Sequence, residues 1–178
     1  MKKPILIMLM VIMALFFTTP IYAQDDDVLR QGTTLDREAI RTKIMNAYDA
    51  FNKDQYDKFS EFIDASYVEH TPSPGQEAGI SGLITFFKNL RTAYPDYKFT
   101  VDEVIIDGNK VVVLNTFTGT NTGPWMDMKP TGKSVNVDGI DVIYLTNGKA
   151  TEHWGYVNTD KWMQQLGMGM DKDKMEKK

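Results

Sequence analysis

The spacing of apolar residues divides the chain into a helical first half and a second half of strands. Apolar side chains recur every three or four positions in three segments before Pro95, which predicts amphipathic helices. A short strand, Tyr67–His70, lies between the second and third of them. The predicted helices are 33–52, 55–63 and a third that is capped near Ser81 and stops at Pro95.

After Pro95 the apolar period changes from 3.6 to 2, as expected for strands with one buried face. The dipeptides Asp107-Gly108 and Asn147-Gly148 are strong hairpin signals between these strands. The predicted strands are 97–106, 110–120, 133–145 and 149–156, followed by a short helix over 160–166. Three helices and then a four-strand antiparallel meander predict an α+β domain. A curved sheet wrapped around a helix leaves a cone that is open at one end and can hold a pocket.

The N-terminal segment has the pattern of a secretory signal peptide. Lys2 and Lys3 precede an apolar run of 13 residues, Ile5–Phe17, and the small residue Ala23 ends the segment. The run is short for a membrane span, which needs about 20 residues, although a retained N-terminal anchor is the alternative. We therefore expect an exported protein, periplasmic or secreted, with no membrane association after cleavage. The expected organisation is a signal peptide at 1–23, a flexible lead-in at 24–34, one domain at 35–167 and a charged, disordered tail at 168–178.

Composition excludes several classes of function. The 178 residues include 24 acidic and 20 basic side chains, which argues against a nucleic-acid partner because such proteins need a basic surface. The absence of cysteine removes disulfides and thiolate chemistry, and two histidines are too few for a three-histidine zinc site. Carboxylates, hydroxyls, tyrosines and the two histidines must carry any chemistry.

Strand alternation makes four of these side chains candidate catalytic groups. His153 shares a strand face with Gly155 and would point into the pocket if that face is concave; the alternative is an exposed histidine. His70 ends its strand beside a proline loop and either faces the cone mouth or lies on the surface. Asp138 and Asp141 are three residues apart, so only one should face the cavity unless Gly139 forms a bulge. A carboxylate on an apolar inner face has the raised pKa of a general base.

Aromatic and sulfur-containing side chains are candidates for the pocket wall. Tryptophans and tyrosines, among them Trp125, Trp154 and Tyr67, either line a ligand site or belong to the core. The loop 121–132 joins two strands at one end of the sheet and is the best candidate for a lid, in which Met128 supplies adaptable apolar contact.

An ordered series of short segments resembles the SnoaL-like polyketide cyclases, also called ester cyclases, of the nuclear transport factor 2-like superfamily. The resemblance spans about residues 35–167. The segments are Tyr67-Val68-Glu69-His70-Thr71-Pro72, Ala93-Tyr94-Pro95-Asp96, Gly119-Thr120-Asn121-Thr122-Gly123, Pro130-Thr131-Gly132-Lys133, Glu152-His153-Trp154 and Gln164-Gln165-Leu166-Gly167. It implies a cone-shaped α+β barrel, often a homodimer, that encloses an apolar pocket. It also implies ring closure by intramolecular aldol condensation, without a metal or cofactor.

Two positions depart from the family pattern. Family members commonly have an acid/base aspartate directly after Glu-His-Trp, where this chain has Gly155, and a histidine where it has Asn121. His70 and His153 are the pocket groups that the resemblance leaves. The leading hypothesis is a cofactor-independent cyclase or isomerase acting on a small apolar carbonyl compound, in which Asn121 and His70 orient an enolate oxygen. The alternatives are a non-catalytic domain that binds an apolar ligand and a dimeric interaction module.

Overall fold

The structure is a computed structural model that describes the backbone of residues 22–168 and the side chains of 37–168. The predicted signal peptide (1–23) and the predicted tail (168–178) lie almost wholly outside the described residues. Within the described part of the chain, no helix is both long enough and apolar enough to cross a membrane.

Between residues 22 and 168 four α-helices form, at positions close to those that the apolar spacing predicts. They are α1 (Tyr22–Asn52), α2 (Phe59–Phe62), α3 (Gly79–Ala93) and α4 (Thr159–Leu166). The first begins at Tyr22 rather than at residue 33, and a 3₁₀ turn, Tyr56–Lys58, precedes the short α2. The second helix is shorter than predicted because the chain becomes extended at the β-branched Ile63, where a strand begins.

In the described part of the chain five strands form one sheet, rather than the predicted four-strand antiparallel meander. The strands are β1 (Ile63–Glu69), β2 (Lys98–Asp107), β3 (Lys110–Thr120), β4 (Ser134–Thr146) and β5 (Lys149–Val157), in the spatial order β1-β5-β4-β3-β2. The meander β2–β5 is antiparallel as predicted, and β1 adds to its edge parallel to β5. The pattern of β1 gives no sign of this pairing, because its partner lies more than 80 residues later in the chain.

The concave face of the sheet packs against α1 and α3, and the core fills the space between them. Phe59, Leu90 and Tyr94 are fully buried in the cluster near α3. A second cluster, around Val111 and Val113, packs against α1. Burial alternates strictly along β3, so its side chains divide cleanly between an inner and an outer face.

The loop 121–132 is held against the C-terminal end of α3. The backbone N–H groups of Thr122 and Gly123 both donate to the carbonyl of Ala93, at 3.1 Å each. A Cβ at Gly123 would lie 2.1 Å from the carbonyl oxygen of Thr92, so only glycine permits this approach. The loop therefore starts at a fixed point beside the open end of the cone.

Candidate active site

The cone encloses a cavity of about 620 Å³ between the inner face of the sheet, α1 and α3. Its wall is mostly apolar and rich in aromatic side chains. Loop 121–132 and α4 border it on the side away from the second core cluster. The aromatic side chains of this wall include Tyr48, Phe51, Tyr67, Phe86, Phe87, Phe99, Phe117, Trp125 and Trp162.

A histidine held between two carboxylates forms the polar part of this wall. The Nδ1 atom of His153 lies 2.6 Å from Oε2 of Glu69, and its Nε2 atom lies 3.1 Å from Oδ1 of Asp141. All three side chains line the cavity. The side chains of His153 and Asp141 are 21% and 20% exposed, whereas that of Glu69 is only 8% exposed. Glu69 is therefore the deep carboxylate, and Asp141 is the one that a ligand can reach.

Further donors fix both carboxylates. The Tyr48 hydroxyl and the Asn115 amide, the latter at 2.8 Å, both donate to Oδ2 of Asp141. The Tyr67 hydroxyl donates to Oε2 of Glu69 at 2.8 Å. The other oxygen of Glu69 accepts from the backbone N–H and the hydroxyl of Thr71, at 3.0 and 2.9 Å. We call Tyr48, Asn115, Asp141, His153, Glu69, Tyr67 and Thr71 the inner network.

Strand register brings the inner network together. Glu69 in β1 pairs with His153 in β5, and Asp141 in β4 pairs with Gly155, two residues after His153 on the same face. A Cβ at Gly155 would lie 3.0 Å from Cε1 of His153 and 3.3 Å from Oδ1 of Asp141. A Cβ at Gly139 would lie 2.9 Å from the Asn115 amide oxygen. These two glycines leave the space in which the polar side chains meet.

The charges in the inner network stabilise one another. Burial alone would lower the pKa of His153, but the hydrogen bonds and charges of Asp141 and Glu69 outweigh it and raise that pKa from 6.5 to about 9. Burial alone would raise the pKa of Glu69, but the His153 ring, Thr71 and Tyr67 lower it from 4.5 to about 2. Burial, followed by the charge of Asp141, raises the pKa of Tyr48 well above 10. At neutral pH the centre is an imidazolium between two carboxylates.

This arrangement leaves one acceptor position facing the cavity. A carboxylate can accept about four hydrogen bonds, and Asp141 accepts one on Oδ1 and two on Oδ2. The remaining lone pair on Oδ1 can take a proton from a bound molecule. Both ring nitrogens of His153 are occupied by carboxylates, so the ring has no lone pair to offer a metal ion at neutral pH.

Comparison with known proteins identifies the family. The sequence model of the SnoaL-like polyketide cyclases matches residues 42–166. The chain belongs to this family. No curated protein sequence matches it.

Solved structures share the fold of this SnoaL-like domain at low sequence identity. TsrD from Streptomyces laurentii is 23% identical with a TM-score of 0.68, over 74% of this chain and 97% of its own. A SnoaL-like polyketide cyclase from Agrobacterium tumefaciens is 19% identical with a TM-score of 0.63, over 72% and 98%. IdmH from Streptomyces antibioticus is 23% identical with a TM-score of 0.64, over 72% and 98%. These likenesses show an α+β fold with helices packed on a curved sheet.

Five of the residues predicted from sequence lie at the cavity of the SnoaL-like domain. His153 and Asp141 belong to the inner network, and only one of the two candidate aspartates points inward because β4 runs through Gly139 without a bulge. Tyr67, Trp125 and Met128 also line the cavity.

His70 and Trp154 lie on the outer side of the sheet, not in the pocket. Side chains alternate along β1 and β5, so both residues face away from Glu69 and His153. Their rings stack with centroids 4.0 Å apart, and Nε2 of His70 lies 2.9 Å from Oε2 of Glu152. The hydrogen bond to Glu152 and the stacking on Trp154 therefore hold the His70 ring at the surface of the sheet.

Asp138 and Asn121 are also outside the cavity lining. Asp138 is exposed on the outer face, with its carboxylate 2.7 Å from Nζ of Lys161. Asn121 is buried, but its amide is used within the loop, where Oδ1 accepts from the N–H of Thr131 at 2.8 Å and Nδ2 donates to the carbonyl of Gly123 at 2.9 Å. It therefore anchors the loop instead of contacting a ligand.

Sequence reasoning missed Glu69, Tyr48, Asn115 and Thr71 as site residues. Glu69 and Thr71 stand within the segment that carries the family resemblance, and alternation from the apolar Tyr67 would have placed Glu69 on the inner face. Tyr48 falls on the apolar stripe of α1 and is indistinguishable there from a core tyrosine.

We predict that the stability of the domain depends on pH through His153 and Glu69. The pKa of His153 is raised, so its stabilisation is complete below about 6.5 and is lost as the pH rises through about 9. The pKa of Glu69 is lowered, so its stabilisation is present above about 4.5 and is lost as the pH falls towards 2. Urea unfolding at a series of pH values measures this. In His153→Gln the decline between pH 6.5 and 9 should disappear, and an unchanged decline would contradict the assignment.

We also predict that Glu69→Gln lowers the pKa of His153 towards 6.5, because it removes one of the two negative charges that hold the imidazolium. An NMR titration of the ring Cε1–H signal measures that pKa. Glu152→Gln removes a carboxylate that contacts His70 instead and is the matched control, with no expected change at His153. Equal shifts in both variants would mean that the contact with Glu69 is unimportant.

Proposed function

We propose that this SnoaL-like domain is an acid/base enzyme that moves a proton on an apolar molecule next to a carbonyl group. The observation that carries the proposal is the Asp141–His153–Glu69 chain in the wall of an aromatic cavity. Convergent ionisable groups in such a pocket favour catalysis over simple ligand binding. The export predicted from residues 1–23 would place this activity outside the cytoplasm.

Asp141 is the proposed proton-transfer group. Its free Oδ1 position takes a proton from the carbon next to the carbonyl. The electron pair of that C–H bond forms a C=C bond, and the π pair of the carbonyl moves to its oxygen to give an enolate. In a cyclase the enolate carbon then attacks a second carbonyl of the same molecule, and the proton on Asp141 goes to the alkoxide that forms. Asp141 is then ionised again and ready for the next substrate.

His153 and Glu69 are proposed to support Asp141. The imidazolium holds Oδ1 at 3.1 Å and places a positive charge beside the point where the enolate charge develops. Glu69 keeps that ring protonated and oriented, since it bonds the other ring nitrogen. Tyr48 and Asn115 bind Oδ2, so the carboxylate has a single orientation in the cavity.

The position of Asp141 also bears on the aspartate that family members carry after Glu-His-Trp. Gly155 stands at that place, and Gly155 is the cross-strand neighbour of Asp141. Oδ1 of Asp141 would lie 3.3 Å from a Cβ built at Gly155. We infer that the neighbouring strand supplies the carboxylate that Gly155 lacks.

The first test is deuterium exchange at a carbon next to a carbonyl. We use 2-tetralone, a neutral bicyclic ketone, in D₂O and measure the loss of its C1 proton signals by NMR. Wild-type protein should accelerate exchange, and Asp141→Asn should reduce the enzymatic rate by about 10²–10⁴-fold, as is typical for loss of an acid/base group.

Asp138→Asn is the matched control, because it changes the same residue type on the same strand but on the outer face. It should exchange at the wild-type rate. If wild-type protein binds 2-tetralone without accelerating exchange, the ligand-binding alternative is favoured. Equal rates in wild type and Asp141→Asn would remove Asp141 from the mechanism.

We further propose that the protein is a homodimer that joins through the outer face of the sheet. Two adjacent rows of paired residues on that face are mostly apolar. They are Ile105–Val112–Val142–Trp154 and Glu103–Leu114–Ile140–Tyr156. Ile105, Ile140 and Tyr156 are 48%, 43% and 59% exposed, which is a large apolar surface for a monomer to leave in water.

We predict that Ile140→Lys converts the dimer to a monomer, because it places a charge in the middle of the two apolar rows. Light scattering after size-exclusion chromatography measures the mass. Met45→Lys changes an equally exposed apolar residue on α1 and should leave a dimer. A wild-type protein that is monomeric at micromolar concentration would contradict the proposal.

A further inference from the structure

The cavity is negatively charged as well as aromatic. Three carboxylates line it, from Glu69, Asp141 and Asp127, and its cation is the imidazolium of His153. No lysine or arginine is among the described residues that line it. With His153 protonated, the three carboxylates and one imidazolium leave a net charge of −2. A negative excess along the wall of a cavity favours a positively charged ligand and repels an anion.

Asp127 lies at the mouth of the cavity, away from the inner network. It is exposed, and no salt bridge or side-chain hydrogen bond is found for it within residues 37–168. It sits in a tight turn in which Trp125 and Met128 exchange backbone hydrogen bonds of 3.1 and 2.9 Å. Asp127 and Trp125 are two residues apart in this turn, and both line the cavity.

The indole is itself fixed in the wall. The ring centroid of Trp125 lies 5.8 Å from that of Phe86 and 6.5 Å from that of Tyr94, both at edge-to-face angles. An aromatic face beside a carboxylate attracts an organic cation, because the ring quadrupole and the charge act in the same direction. An alkylammonium group has the charge, the hydrogen-bond donors and the apolar attachment that this entrance would bind.

We propose that the cavity selects an aromatic compound that carries a protonated amine, with the ammonium group between Asp127 and Trp125 and the aromatic body among the phenylalanines inside. This rests on the proposed function only in that the carbonyl of such a substrate would then lie at Asp141. The two ends of the cavity have separate tasks. The entrance binds the cation, and the inner network moves the proton.

The test compares three ligands with one aromatic body and different charge. They are 2-(2-naphthyl)ethylamine, 2-(2-naphthyl)ethanol and the anion of (2-naphthyl)acetic acid. Each is titrated into the full-length protein at pH 7 and followed by calorimetry. The amine should bind about three- to tenfold more tightly than the alcohol, which is the range of one partly exposed cation–π contact with an adjacent charge. The acetate should bind most weakly.

Asp127→Asn should remove most of the advantage of the amine over the alcohol and leave the affinity for the alcohol unchanged. Asp107→Asn, which loses the same charge at the far hairpin turn outside the cavity lining, should retain the advantage. Added NaCl should narrow the gap between amine and alcohol, because part of the attraction is between exposed charges. The inference is overturned if the amine does not bind, if the alcohol or acetate binds as tightly, or if both variants behave alike.

The experiments distinguish a failure of the proposed amine selectivity from a failure of the proposed catalysis. The ligand series measures binding at the entrance, whereas deuterium exchange of the neutral 2-tetralone measures the inner network alone. An amine preference without exchange would leave a cation-binding domain, and exchange without amine preference would leave an enzyme for neutral substrates.

Discussion

The ion triad of Glu69, His153 and Asp141 is the constraint on which the site depends. Each member comes from a different strand, and the three strands, β1, β5 and β4, are neighbours in the sheet. Two carboxylates this close would repel each other without the imidazolium between them, and a histidine this sheltered would be neutral without the carboxylates. The charged state of each group is therefore a property of the assembled sheet. This explains why the histidine has a raised pKa and the glutamate a lowered one in the same pocket.

The sequence was sufficient to predict the element order, the α+β class and the family, because these follow from local periodicity and motif order. The direction of the His153 side chain stayed open, because periodicity does not say which face of the last strand is concave. The sequence also did not predict which strand pairs with β1. That parallel pairing joins residues more than 80 positions apart, and no local signal encodes it. Glu69 was missed as a site residue for this reason, because only the pairing of β1 with β5 places it beside His153. His70, one residue later, was the more visible candidate because histidine is chemically conspicuous, yet alternation turns it outward. Tyr48 and Asn115 were missed because each has the pattern of an ordinary residue of its helix or strand.

The two glycines of the site show why one position of a motif, read without its neighbours in the sheet, is a poor guide to whether the site has a carboxylate. Gly155 reads as the loss of an acid/base aspartate when the last strand is considered by itself. In the sheet, the absence of a side chain at Gly155 leaves the room that Asp141 and His153 occupy, and Gly139 does the same for Asn115. Even a Cβ at residue 155 would be in tight contact with both side chains, so a carboxylate there would require His153 and Asp141 to shift. An aspartate at residue 155 and the observed triad therefore compete for one volume, and in this chain the carboxylate beside His153 comes from the adjacent strand.

The division between an ionic inner network and an aromatic wall also limits the chemistry. His153 is protonated and hydrogen-bonded to a carboxylate at each ring nitrogen, so it is a poor general base at neutral pH. Within the inner network the proposed proton removal therefore falls to Asp141, which has an unused acceptor position. Glu69 does not compete for this role, because it is almost fully buried and its oxygens are committed to Tyr67, Thr71 and His153. In the proposed function, a substrate that enters through the mouth passes Asp127 and Trp125, then the apolar rings, and reaches the unused acceptor position of Asp141 last. The proposed recognition and the proposed reaction therefore lie at different ends of the cavity.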